Sequence, residues 1–510
     1  MDGIEGQRRL HGVRRLGLHQ PQRQRIVATA PVLVPLATAG LTALFSGRSR
    51  TQQAISFVGV LGFLGAAVTL LAQVSASGPV GVSFGDWPAP YGIQFRFDGL
   101  STALLLLTAL MGLVTLIFLG SDADPGPRHR LLLPLLHGTL AGVAGAFSTA
   151  DLFNLYVWFE VMLICALGLI ALGGRRDQLD AAFKYLGLNL FGTLLLLAAI
   201  GLLYAATGQL NYGGLALAAR QLDPALLHTL LAALTVGLLL KAGAFPLYAW
   251  LPASYPTLPA PVLALFAALL GKVAAYAVLR MLGDVFMPEG AALYEVLGWV
   301  AVATMVAGVL GAAHHWDMRR ILAFHSVSQI GYVLLAVALG GPAGHSAALF
   351  YTLHHSLVKA SLYLTAGMVA SVAGSYDLRR IGGLAAARPM LALLFAVMAL
   401  SLVGIPPLSG FWAKLLVLQE AFAQGRYTWA ALALLVSVLT LYSMMKIWTE
   451  AFWKPHPLAD AEGVWPARRV ALAPAWAATV SLAAVTLAIG FAPQTLIEFA
   501  QAAAATLGRK

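Results

Sequence analysis

Six of the eight lysines in this 510-residue chain fall inside long apolar runs: Lys184, Lys241, Lys272, Lys359, Lys414 and Lys446. None of the 24 arginines is read as sharing that placement. An amine stripped of water can give up its proton, whereas a guanidinium stays charged. Either residue costs about 2.5–3.5 kcal/mol at the middle of a membrane helix, so packing alone explains neither. The bias toward lysine points to sites that gain and lose a proton.

Such sites need partners. Glu160, in "DLFNLYVWFEVMLICALG", is the acid placed well inside an apolar run, while Glu295, Glu420 and Glu450 fall nearer ends or loops. A buried ammonium needs a counter-charge or must neutralise, which makes Glu160 the partner expected for Lys184 or Lys241. His325 and Gln329 are four residues apart, as are His355 and Lys359, so each pair shares a helix face. Histidine titrates near neutrality and can link lysine sites, so His325 and His355 read as relays and His354 as structural. Pro246 follows Lys241 by five residues in "LLLKAGAFPLYAWLP", and Pro406 and Pro407 precede Lys414 in "GIPPLSG". Each break frees a helix carbonyl that water can solvate beside a lysine.

The elements that position these residues must be membrane helices. The chain is 59% hydrophobic and 10% charged, against roughly 25% charged in soluble domains. Fourteen apolar runs stand out, near 26–46, 55–73, 99–119, 131–147, 152–172, 183–206, 226–250, 259–281, 291–312, 321–340, 346–370, 389–424, 429–452 and 471–493. The expected fold is therefore all-α and polytopic, with about 14 transmembrane helices, the seventh and twelfth broken. A single cysteine, Cys165, leaves no disulfide framework and no cysteine cluster for zinc or an iron–sulfur centre, so no cofactor or metal is expected on this chain. The formal charge of +11 is spread over short doublets, which argues against a nucleic-acid partner.

Loop lysines and arginines set the orientation. Fourteen lie in odd-numbered loops, including Arg319, Arg320, Arg379 and Arg380, and four in even ones, Arg96, Arg220, Arg280 and Arg426. The odd loops are therefore expected in the cytoplasm, with both termini on the outer side of the cell's inner (plasma) membrane. The six arginines of residues 1–25 conflict with this and lack the apolar core of a signal peptide, so this stretch reads as non-native or as a basic tail.

Lys184, Lys241 and Lys272 precede Lys359, Lys414 and Lys446 at nearly equal intervals. This suggests two units of five helices, helices 4–8 and 9–13, which an odd helix count sets in opposite orientations. The expected divisions are the basic stretch 1–25, peripheral helices over 26–130, a first unit over 131–281, a second over 291–452 and a C-terminal helix and tail over 471–510.

On these residues the chain resembles the antiporter-like subunits of respiratory complex I and of multisubunit Mrp-type Na⁺/H⁺ antiporters. The motifs are Glu160 in the fifth helix, "KAGAFPLYAWLP" with Lys241, "LLGKVAAYAVLR" with Lys272, "LAFHSVSQIGY" with His325, "HHSLVKASLYLTAG" with Lys359 and "GIPPLSGFWAKLLVLQ" with Lys414. "DLFNLYVWFE", "SQIGY" and "GFWAK" look most like the D-type branch of the Mrp family. The resemblance implies a proton path through Glu160, Lys241, Lys272, His325 and Lys414, with Lys359 in support, to which placement and helical spacing add Lys184, Gln329 and His355. It implies a non-enzymatic subunit of a cation/proton antiporter, with other membrane subunits, protons and Na⁺ as partners. The alternatives are a proton-pumping membrane-arm subunit of a complex I-like oxidoreductase or membrane-bound hydrogenase, and a passive scaffold.

Overall fold

The computed structural model describes residues 22–84, 87, 89–121, 130–288, 290–459 and 472–508. Most of the basic N-terminal stretch, together with Arg128, Arg468 and Arg469, lies outside them. The chain opens with α1 (Gln22–Leu44), α2 (Ser49–Ser77) and α3 (Gly99–Leu119). Then come α4 (Leu132–Ser148), α5 (Leu152–Ala171), α6 (Arg176–Thr207), the short α7 (Tyr212–Ala218), α8 (Pro224–Ala242), the short α9 (Trp250–Ser254) and α10 (Ala260–Arg280). The remainder is α11 (Ala292–His314), α12 (Met318–Leu339), α13 (Gly341–Ala373), α14 (Leu384–Ala387), α15 (Pro389–Val403), α16 (Ser409–Ala423), α17 (Tyr427–Ile447), α18 (Ala473–Phe491) and α19 (Gln494–Ala504). Among the described residues eleven helices are long and apolar enough to cross a membrane, and α1, α4 and α15 contribute shorter apolar segments. The protein is a multi-pass membrane protein.

The all-α expectation needs one amendment. Between α2 and α3, β1 (Val80–Ser83) and β2 (Gln94–Phe97) pair antiparallel, Val80 opposite Phe97. Their alternating burial is the period-two signature of a half-covered ribbon, too short to register in an apolar-run search.

Burial grades inward. Every residue of α10 is buried, and α12 and α13 are nearly so, whereas α2, α6, α17 and α18 bury only 33–39% of their apolar windows. A helix covered on all sides has no lipid-facing stripe. Lysine and histidine on α10, α12 and α13 are thereby held inside protein.

Two stretches of backbone recur. Asp151 forms an isolated antiparallel bridge with Asn211, and Asp317 does so with Asp377 in the second half of the chain. The flanking bonds match, Leu152 N–H to Leu210 O and Tyr212 N–H to Ala150 O in one case, Met318 N–H to Tyr376 O and Leu378 N–H to Trp316 O in the other. At the breaks, Ala244 N–H donates to Leu239 O as Ile405 N–H donates to Leu400 O, and Leu247 N–H to Ala244 O as Leu408 N–H to Ile405 O. The interval between the breaks is slightly shorter than that between the bridges.

The lysines do not follow these intervals. Counted from the bridges, Thr193 corresponds to Lys359, and Lys184 to Phe350. The nearly equal offsets between the lysine triples therefore do not superpose lysine on lysine. Lys241 precedes its break and Lys414 follows its own, which is why their separation exceeds that of the breaks.

A buried lysine file at two broken helices

Lys241 lies in the last turn of α8, which ends at Gly243 in the left-handed region, φ 75°. Gly404 ends α15 the same way, φ 97°, and Lys414 approaches from the far side of that break on α16. The Lys414 amine donates to Val403 O at 2.7 Å, the last residue of α15. A Cβ at position 404 would lie 2.9 Å from Lys414 Cδ, so glycine serves both the turn and the passage of the lysine chain. Both amines thus sit at the carbonyl end of a half-helix, where the helix dipole favours a cation. The prolines follow the glycines, so the helices end before Pro246 and before Pro406 and Pro407. Protein donors reach one carbonyl at each break: Trp250 Nε1 donates to Leu240 O at 2.9 Å, and Val403 O takes the Lys414 amine.

Glu160 on α5 and Lys241 are 3.8 Å apart, with Lys241 buried and Glu160 23% exposed. Thr193 on α6 fills the gap, donating to Glu160 Oε1 at 2.7 Å and accepting from Lys241 Nζ at 2.8 Å. The donors point one way along this link, from amine through hydroxyl to carboxylate. Lys184 is not part of it. It lies 53% exposed on α6 and pairs with Asp180 at 2.6 Å, because its helix face points away from α5 and α8. Among the described residues the Glu160 carboxylate pairs with Lys241 and not with Lys184, which stands apart from this link.

Gly271 lets α10 close on the end of α8, since a Cβ there would lie 3.0 Å from Ala242 O. Lys272, the next residue, is 2% exposed and donates to Ala267 O one turn back. Among the described residues no side-chain hydrogen bond joins Lys241 to Lys272. Lys272, Lys359 and His355 lie within electrostatic reach of one another, and Ser356 ties their two helices by donating to Ala268 O at 2.7 Å. The amine of Lys359 and both ring nitrogens of His355 are buried with no hydrogen-bonding side chain or carbonyl.

From α12, His325 contacts Ser443 Oγ at 2.6 Å through Nε2, leaving Nδ1 without a protein partner. Gln329 accepts from Tyr351 OH at 2.5 Å, and the Tyr351 ring stacks on Tyr332 at 5.3 Å. Tyr332 OH contacts Ser437 Oγ at 2.9 Å, and Ser437 accepts from Lys414 at 3.0 Å. His354, read from sequence as structural, bonds Ser409 Oγ at 2.8 Å at the foot of α16.

Thr193, Tyr332, Tyr351, Ser437 and Ser443 were not singled out in the sequence. Two carried a signal: Tyr332 extends the His325 and Gln329 face by i+7, and Tyr351 precedes His355 and Lys359 by four and eight. Arg280 also departs from its reading as a helix-end residue. It is buried and held by Asp98 at 2.7 Å and Asp284 at 3.0 Å. The buried arginine is paired to two carboxylates, while among the described residues the buried Lys272, Lys359 and Lys414 meet none.

A family described as NADH:quinone oxidoreductase/Mrp antiporter, TM, matches residues 149–440, more than half of the chain and every lysine and histidine of this file. The chain belongs to that family. It is 36% identical over 470 residues to the D subunit of the Na⁺/H⁺ antiporter of Alkalihalophilus pseudofirmus, covering 92% of this chain and 94% of that one. It is 35% identical to the corresponding D subunit of Bacillus subtilis, over 83% of this chain and 86% of the relative. Among solved structures, a chain of the Mrp complex from Dietzia sp. superposes with a TM-score of 0.88 at 35% identity, covering 95% of this chain and 98% of that one. A chain of respiratory complex I from Thermus thermophilus superposes at 0.80 with 25% identity, covering 95% and 100%.

Proposed function

We propose that this chain is the proton-translocating subunit of a multisubunit Na⁺/H⁺ antiporter, a transporter subunit and not an enzyme. The observation that carries this is the run of titratable side chains Glu160, Lys241, Lys272, Lys359, His355, His325 and Lys414, its first link bridged by the Thr193 hydroxyl and its middle members held on the enclosed helices α10, α12 and α13. Its likeness in length and fold to D-type antiporter chains favours the antiporter over a redox-driven pump. Other membrane subunits are its partners.

Protons enter and leave the file as the Glu160 and Lys241 pair separates and closes, each change altering the field on the next amine. Two five-helix units, over 131–281 and 291–452, supply the frame. The matched bridges and breaks support that division, and an odd number of helices per unit supports their inversion. The loops of Arg319, Arg320, Arg379 and Arg380 then lie in the cytoplasm and both termini outside.

The test is Glu160→Ala in the assembled complex. Antiport in vesicles should be lost while the subunits still co-purify. Normal antiport by the assembled variant refutes the reading.

A further inference from the structure

The two ends of the matched backbone frame are finished differently. At the Asp151 and Asn211 bridge, the β-hairpin closes the end: Ala150 N–H donates to Gln94 O at 2.8 Å, and Asn211 donates to Gln94 Oε1 at 2.7 Å. Thr149 and Asp151 are 2% and 9% exposed there. The end of α10 beside it is locked by Arg280, Asp98 and Asp284. At the Asp317 and Asp377 bridge no hairpin intervenes among the described residues. A cleft of about 600 Å³, open to solvent, is lined by His314, His315, Trp316, Asp317, Arg320, Asp377 and Arg379.

Lys446 packs against two of these lining residues. Lys446 on α17 donates to His315 O at 2.7 Å and Ala313 O at 3.1 Å, with its amine 4.0 Å from the centre of the Trp316 ring. One helical turn deeper on the same helix, Ser443 holds His325 Nε2 at 2.6 Å. His315 stacks on Phe324, the residue before His325, at 4.9 Å. Lys446, beside the cleft, and Ser443, at the buried file, are thus separated by a single turn of α17, about 4.5 Å of rise.

We infer that this cleft is a proton port, in which Lys446 and His315 pass protons between solvent and His325 by way of Ser443. The inference rests on the reading of the buried file as a proton path. The matching end of the first unit, sealed by the hairpin, is closed to the same traffic. Near His315 the charged groups are Arg320, His314, Lys446 and Asp317; near Lys446 they are His315 and Glu450, the latter paired to Lys454 at 2.8 Å. Burial pushes the His315 imidazole down, and Arg320, His314 and Lys446 push it the same way against Asp317. It therefore sheds its proton readily near neutrality.

The test uses the assembled complex carrying Cys165→Ala and Ser443→Cys, with a small membrane-impermeant cationic methanethiosulfonate added from each side in turn. Labelling is expected from the side of the Arg319 and Arg379 loops, and Lys446→Trp should slow it. No labelling from that side, or labelling that Lys446→Trp leaves unchanged, overturns the port. Should Ser443→Cys not assemble, Lys446→Met decides: most of the antiport is lost if the port is used, and an unchanged rate overturns it. Glu160→Ala separates the two claims. If that variant transports normally, the path itself fails; if it is inactive while Lys446→Met is not, the path stands and only the port falls.

Discussion

Thr193→Val is the sharpest perturbation of the first proton link, because valine keeps the volume and removes only the hydroxyl. Glu160 and Lys241 stand 3.8 Å apart, beyond direct hydrogen-bond range, and the threonine contacts of 2.7 and 2.8 Å are what connect them. At an effective dielectric of about 20 the two charges still attract by about 4 kcal/mol without the hydroxyl, so the pair and the assembly should survive. What is lost is a hydrogen-bonded path whose links to charged groups contribute about 1.5–3 kcal/mol each. Loss of about 2 kcal/mol from the transfer step corresponds to a rate roughly thirtyfold lower. Antiport in vesicles, normalised to co-purified subunits, should show that fall in Thr193→Val and near-normal rates in Thr193→Ser. Full activity of the valine variant would refute the hydroxyl link.

Further outcomes follow from the same geometry. Asp98→Ala should lower the thermal stability of the solubilised complex by about 3–5 kcal/mol, the cost of leaving a buried charge such as Arg280 without its partner; a melting curve checks this. Burial pushes the Asp98 carboxyl up, but Arg280 and Arg96 overcome it and hold it at about 2. Its contribution to stability is therefore present above the ordinary carboxylate value of 3.8 and lost as pH falls toward about 2, which acid unfolding curves of Asp98→Asn and the parent would separate. Lys184→Met should leave antiport and stability unchanged, since its ion pair with Asp180 is more than half exposed and such pairs contribute about 0–1 kcal/mol. Tyr332→Phe should slow antiport without disturbing assembly, because it removes the hydroxyl that meets Ser437 beside Lys414.

The helices, the two breaks and the choice of lysine were legible because each leaves a strong local mark: an apolar run, a proline, a charge where charge is costly. Lys184 carries the same mark, yet its helix face points outward, and facing is set by packing that spacing along one helix does not report. The lysine triples misled for a related reason. Three similar offsets arise in evenly sized helices, whereas the recurring backbone bonds at Asp151 and Asp317 and at Gly243 and Gly404 depend on tertiary pairing. Thr193 was invisible because a threonine in an apolar helix ordinarily bonds its own backbone. Only the approach of α5 and α8 turns it toward Glu160 and Lys241. Arg280 looked like a helix-end charge until Asp98, 182 residues away in sequence, was seen to meet it.

The central claim is that the buried lysines act by gaining and losing protons and not as fixed charges. Arginine keeps the charge at Lys241 and at Lys414 but does not release it. Antiport should therefore be measured in vesicles carrying the assembled complex with Lys241→Arg, with Lys414→Arg, and with neither. The expected result is loss of transport in both variants with the subunits still associated; wild-type transport by Lys241→Arg would contradict the account.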